Sequence, residues 1–177
     1  MTLRQAQGPA LRDGQGPVKI VVVYQSLLGI YGDQGNAKVL HQRLAWRGID
    51  SEVIFGEPGQ RLPADGAIYL LGGGEDNAQT TAVRELKADG ALFSALADGA
   101  VLFAVCAGYQ ICGHTFTIGE NDDDREGLGV LDVTTRRGSR RAVGEILTRW
   151  TKPDGTQTYL TGFENHGGFT TLGPDAA

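Results

Sequence analysis

Cysteine is scarce in this 177-residue chain: Cys106 and Cys112 are the two present, with no CxxC pair and no Cys/His ligand spacing. That argues against a disulfide framework or a zinc site, and no metal site is expected. No apolar run approaches the roughly 20 residues of a membrane-spanning helix. Met1 to Pro17 contains no apolar stretch of the signal-peptide kind, so a cytoplasmic location is expected. Positive charge is also in deficit. The formal net charge of −5 gives no footprint for nucleic acid, although Arg136, Arg137, Arg140 and Arg141 cluster locally. The acidic stretch Asn121 to Glu126 lacks the ligand alternation of an EF-hand and reads as a solvated loop.

What remains is the composition of a soluble globular domain, 41% hydrophobic and 21% charged. Residues 1–17 are rich in Gly, Gln, Pro and Arg without periodicity and read as a disordered extension; residues 18–177 read as one domain. Lys19 to Tyr24 (KIVVVY) is a short β-branched run suited to a strand buried on both faces. Asp33 is placed to cap a helix in which Val39, Leu40, Leu44 and Trp46 recur, with Gly48 as its stop. Further strands are expected at Ser51 to Phe55, Ala67 to Leu71 and Val101 to Val105. Helices are expected at Thr80 to Lys87 and Ala91 to Ala97, broken at Asp89 and Gly90. This alternation predicts an α/β three-layer sandwich with a mostly parallel sheet. After Gly127, Val130 to Thr135, Ala142 to Trp150 and Thr156 to Phe163 read as an antiparallel extension, with a turn at Lys152 to Gly155.

The segment VLFAVCAGYQICG, Val101 to Gly113, runs a strand into a cysteine and then into a helical pattern through the small residues Ala104, Ala107 and Gly108. That is the pattern of a nucleophile elbow, in which a sharp turn presents Cys106 at a helix N-terminus. Free N–H groups there favour an anion such as a thiolate, and the Ala107 N–H would face a developing oxyanion. A buried structural cysteine is the competing reading. The glycine triplet Gly72 to Gly74 ends the preceding strand at the carboxyl edge, where α/β proteins place their sites. One of its N–H groups, that of Gly73, is expected to complete the oxyanion hole; the alternative is a flexible turn. Asp76, Asp33 and Asn36 read as capping residues before functional ones.

Taken in order, YGDQGN (Tyr31 to Asn36), GGGEDNAQ (Gly72 to Gln79), VCAGYQICG (Val105 to Gly113), GLGVLD (Gly127 to Asp132) and GFENHGG (Gly162 to Gly168) resemble the class I, or triad, glutamine amidotransferases. The likeness is to their cobyric-acid-synthase-like branch, and within it to the GatD-type glutaminase subunits of lipid II isoglutaminyl synthases, which work with a Mur-ligase-like MurT subunit. The resemblance implies a flavodoxin-like core, Cys106 as nucleophile and L-glutamine as substrate. It places Arg141 on the arginine that holds the glutamine, a task suited to a bidentate guanidinium fork. Arg140 is the neighbouring alternative, since a one-residue slip exchanges the faces. No cofactor is expected on this chain, ATP and magnesium belonging to the partner ligase, and lipid II is expected to be reached through that partner.

A cysteine amidase needs a base, usually histidine. His41 lies in the first helical pattern, His114 follows the elbow helix, and His166 sits in ENHGG, which in the resembled family is distinct from the catalytic histidine. That histidine belongs to a later strand, and the chain ends at Ala177 before one, so it is expected to be C-terminally incomplete. Two alternatives to the lipid II glutaminase stand beside it: a subunit amidating a corrinoid, and a catalytically inactive docking module.

Overall fold

The computed structural model describes residues 16–29, 33–119 and 123–176. Most of the expected N-terminal extension, Tyr31 and Gly32 of the YGDQGN motif, and Asn121 and Asp122 of the acidic stretch lie outside the described residues. The elements run β1 (Val18–Val23), α1 (Gln25–Leu28), α2 (Gln34–Ala45), β2 (Ser51–Gly56), β3 (Ile68–Leu71), α3 (Asp76–Asp89), α4 (Ala91–Ala97), β4 (Val101–Ala104), α5 (Ala107–Ile111), β5 (Thr115–Ile118), β6 (Asp123–Glu126), β7 (Val133–Thr151) and β8 (Gln157–Leu172).

The first sheet is wholly parallel, in the order β2-β1-β3-β4, so the expected α/β sandwich is found. Its two faces follow from side-chain alternation along β1. Ile20 and Val22 pack with Leu70 against Ala37, Leu40 and Leu44 of α2. Val21 and Val23 join Tyr69 and Leu71 beneath Val83, Leu86, Leu92 and Ile111 of α3, α4 and α5. β1 is the central buried strand, with Ile20 to Val23 at most 2% exposed. Tyr24 ends it in a left-handed conformation (φ 51°), from which the unanticipated short helix α1 begins.

Several sequence expectations need correction. Of the apolar positions assigned to the first helix, Val39 and Trp46 are exposed, and the partly buried Leu40 and Leu44 pack with the buried Ala37 against the sheet. Asp33 has helical φ and ψ and makes no side-chain cap; its carboxylate goes elsewhere, as described below. β4 is an edge strand of this sheet. Val101 and Phe103 lie exposed on the α2 side because α2 covers the β1 half of that face. The break at Gly90, with φ 73°, separates α3 from α4 as anticipated.

The second sheet, β6-β5-β7-β8, is mixed: β5 pairs with β7 in parallel, and the other pairs are antiparallel. Part of the acidic stretch, Asp123 to Glu126, is a strand rather than a loop. What reads as three short strands in sequence is two long ones, β7 and β8, closed by the turn at Lys152 to Gly155. A bulge between Arg137 and Ala142 interrupts this ribbon, the extra residues falling opposite Gly167. Among the described residues no helix is long and apolar enough to cross a membrane. No group of three or more His, Cys, Asp or Glu among them could hold a metal.

Candidate active site

β4 delivers the chain to the carboxyl edge of the parallel sheet, where Val105 N–H donates to Leu71 O at 2.9 Å. Cys106 then takes φ 55°, ψ −119°, a conformation costing a non-glycine residue roughly 1–3 kcal/mol. Helix α5 starts at the next residue, with Gln110 N–H bonded to Cys106 O. The expected elbow is therefore built, and its thiol is exposed. Ala107, at the first position of α5, carries one of the N–H groups that a helix leaves without an internal acceptor.

The elbow is held by close backbone approach. A Cβ on Gly108 would lie 2.5 Å from Leu71 O and 2.8 Å from Gly72 O, so α5 seats directly on the end of β3 and only glycine fits. The glycine loop therefore lies beside the nucleophile's helix, as the sequence suggests. Its other side is pressed against Asp33, which is 5% exposed and whose carboxylate accepts the Gly73 N–H at 3.3 Å. A Cβ on Gly72 would collide with that same carboxylate. Gln79, also buried, donates from Nε2 to Gly74 O at 3.2 Å. Asp76 does not cap α3; Glu75 precedes that helix, and the Asp76 carboxylate receives the Gly119 N–H at 2.7 Å. The link from Asp33 to the loop is invisible in sequence, because an Asp ahead of a helical pattern reads as its cap.

Cys112, the second cysteine, is inert by construction. It is fully buried, its Sγ–H donates to Gly108 O at 3.1 Å, and desolvation pushes the thiol up to about 12.

Arg141 lies in the ribbon's bulge and is exposed, with Nε donating to Asn165 Oδ1 at 2.7 Å and Nη2 to Asn165 O at 3.4 Å. The structure thus joins Arg141 to the GFENHGG segment. The base of that segment reaches α5, since a Cβ on Gly168 would come within 2.6 Å of Gln110 Nε2. Each histidine has a hydrogen-bond partner other than the Cys106 thiol. His41 Nδ1 lies 2.9 Å from Ser51 Oγ, and His114 Nε2 is 3.0 Å from Asp132 Oδ1. His166 bridges Gly168 O at 2.7 Å and Glu164 Oε2 at 3.2 Å.

Comparison with known proteins agrees with this geometry. Residues 19–177 match the CobB/CobQ-like glutamine amidotransferase domain. The chain is similar to the GatD subunit of the glutamine-hydrolysing lipid II isoglutaminyl synthase of Staphylococcus aureus strain N315, 35% identical over 145 residues, 81% of this chain and 58% of that protein. It is also similar to the GatD subunit of Streptococcus pneumoniae strain ATCC BAA-255 / R6, 30% identical over 172 residues, covering 93% of this chain and 64% of that one. The cobyric acid synthase of Rhizobium etli strain CIAT 652 is 33% identical over 131 residues, 71% of this chain but 26% of its own. The chain thus spans about three fifths of the GatD relatives. An elbow cysteine at the carboxyl edge of a parallel sheet and a domain match over nearly all the described chain lead to one family: the chain belongs to the CobB/CobQ-like glutamine amidotransferases.

Proposed function

We propose that this chain, with residues 18–177 as one domain, is the glutaminase subunit of a lipid II isoglutaminyl synthase. The observation that carries the chemistry is the Cys106 backbone at φ 55°, ψ −119°, a strained turn that a merely structural cysteine does not need. The Cys106 sulfur attacks the side-chain amide carbon of L-glutamine, a C–S bond forms, and the carbonyl electrons move onto oxygen. The Ala107 N–H stabilises that oxyanion together with the glycine loop, whose Gly73 N–H is donated to Asp33 and leaves the neighbouring loop N–H groups for the task. Collapse breaks the C–N bond, the thiol proton leaves with nitrogen as ammonia, and water cleaves the thioester to glutamate. Arg141 holds the glutamine carboxylate. Ammonia passes to a MurT-like ligase, which uses ATP and magnesium to activate the D-glutamate α-carboxylate of lipid II and forms D-isoglutamine.

The lipid II acceptor is favoured over a corrinoid because the Staphylococcus aureus GatD subunit is 35% identical over 81% of this chain, against 33% over 71% for the cobyric acid synthase. A second reading, an inactive docking module, draws on the three histidines, each of which is bonded to a group other than Cys106. Labelling with diazo-oxo-norleucine and peptide mapping separates them. Modification at Cys106, lost in Cys106→Ala, supports the glutaminase; modification of Cys112 with Cys106 untouched, or none, rejects it. Copurification with a Mur-type ligase tests the acceptor.

A further inference from the structure

Asp33 is a buried acid that has given up its usual local role. It stands immediately before α2, where an aspartate ordinarily accepts the helix's own free N–H groups, yet no such bond forms. Its carboxylate instead crosses 40 positions of sequence to the Gly73 N–H at 3.3 Å and packs against the Cα of Gly72. A carboxylate at 5% exposure is costly unless it is bonded, so this placement needs a compensating purpose. The loop it holds would be mobile if left alone, since three successive glycines restrict the backbone least of all residues. The opposite end of the loop is held by Gln79 through Gly74 O, and the far side of Gly72 carries α5. The bonds from Asp33 and Gln79 and the seat of α5 thus hold the loop's peptide groups next to the elbow.

We infer that Asp33 is a positioning residue for the reaction: by accepting the Gly73 N–H its carboxylate fixes the Gly72–Gly74 peptides so that the loop's other N–H groups face the oxyanion formed at Cys106. The inference rests on the glutaminase reading and adds to it a residue on α2's leading end that touches neither thiol nor glutamine. Because the loop acts on the transition state rather than on bound glutamine, losing Asp33 lowers kcat more than it raises KM.

The test compares Asp33→Ala and Asp33→Asn with the wild-type protein, together with its ligase if activity requires it. Asp33→Ala is expected to lower kcat about tenfold to a hundredfold with KM changed less than about threefold. Asp33→Asn, which keeps an oxygen acceptor in place, restores most of kcat. Alkylation of Cys106 by iodoacetamide, which needs no oxyanion donor, proceeds at the wild-type rate in both. Hydrogen exchange at the Gly73 amide is faster in Asp33→Ala. A folded Asp33→Ala protein with wild-type kcat overturns the inference. So does a parallel loss of iodoacetamide reactivity, which makes Asp33 a support of the whole elbow. A wild-type protein that neither turns over glutamine nor is labelled at Cys106 overturns the glutaminase reading itself, and this inference with it.

Discussion

Cys106 and Cys112 share one turn and helix, yet their surroundings set them to opposite tasks: one exposed on a strained backbone, the other sealed beneath Gly108. A thiol whose pKa is raised in the fold stabilises it fully below the unfolded value and loses that contribution as pH rises through the folded one. For Cys112, with the folded value near 12 against an ordinary value of 9.0, stability falls between about pH 9 and 12. Denaturant unfolding of Cys112→Ala should therefore show a shallower alkaline decline than the wild type, whatever its offset at pH 7; an unchanged slope would contradict the burial argument. Arg141 and Arg140 form the second residue-scale contrast. Arg141→Ala should raise KM and lower kcat/KM by about tenfold to a hundredfold, the worth of a charge-assisted bond to a carboxylate, and Arg141→Lys should recover little of it. Arg140→Ala should be nearly silent in the same assay. A larger effect at Arg140 would shift the clamp by one residue along the bulge.

At the scale of elements, the parallel sheet was readable because β-branched runs alternating with helical spacing have few other interpretations. Val18–Val23, Ser51–Gly56, Ile68–Leu71 and Val101–Ala104 sit within a residue of the expected strands. The elbow was readable for a different reason, since small residues flanking a cysteine at a strand's end mark a tight turn. Illegible were the contacts that link distant elements: Asp33 to Gly73, Asp76 to Gly119, and Gly168 to Gln110. Local spacing carries no information about those. The β7–β8 ribbon was broken into pieces in the sequence reading because its Arg- and Gly-containing middle lacks apolar alternation, although backbone pairing runs through it apart from the bulge. Element packing yields a pair of predictions with opposite signs. Gly108→Ala forces Cβ against the Leu71 and Gly72 carbonyls and should destabilise the fold by about 1–3 kcal/mol. Gly35→Ala, in α2 with open space around the new methyl, should stabilise by about 0.5–1 kcal/mol. Denaturation midpoints check both.

Across the whole molecule, the apolar surface is unevenly distributed. The α/β body exposes Val39, Trp46, Phe55, Val101 and Phe103, and the ribbon leaves Val143, Leu147, Tyr159 and Phe163 exposed on one face and Ile146, Trp150 and Leu160 on the other. Leu147→Thr combined with Phe163→Thr should reduce binding of the dye ANS while leaving the denaturation free energy within about 0.5 kcal/mol per site, as for surface positions. A cooperative loss of stability would instead show these side chains packed. The strand order of the first sheet has a consequence in time. β1, the earliest strand in the described chain, lies inside its sheet and can acquire its two neighbours only when Ser51–Gly56 and Ile68–Leu71 have been made. The elbow finds β3 already made beneath it, but Gly113, which abuts Val133, waits for β7 and for Leu172, the β8 partner of Val133. Translation at roughly 5–20 residues per second then separates the first strand from the last by on the order of ten seconds. In the later part of that interval the ribosome-bound chain carries Cys106 already seated on β3, while the far end of its helix still lacks the β7 support at Val133, so the elbow is secured at both ends only after most of the domain has been synthesised.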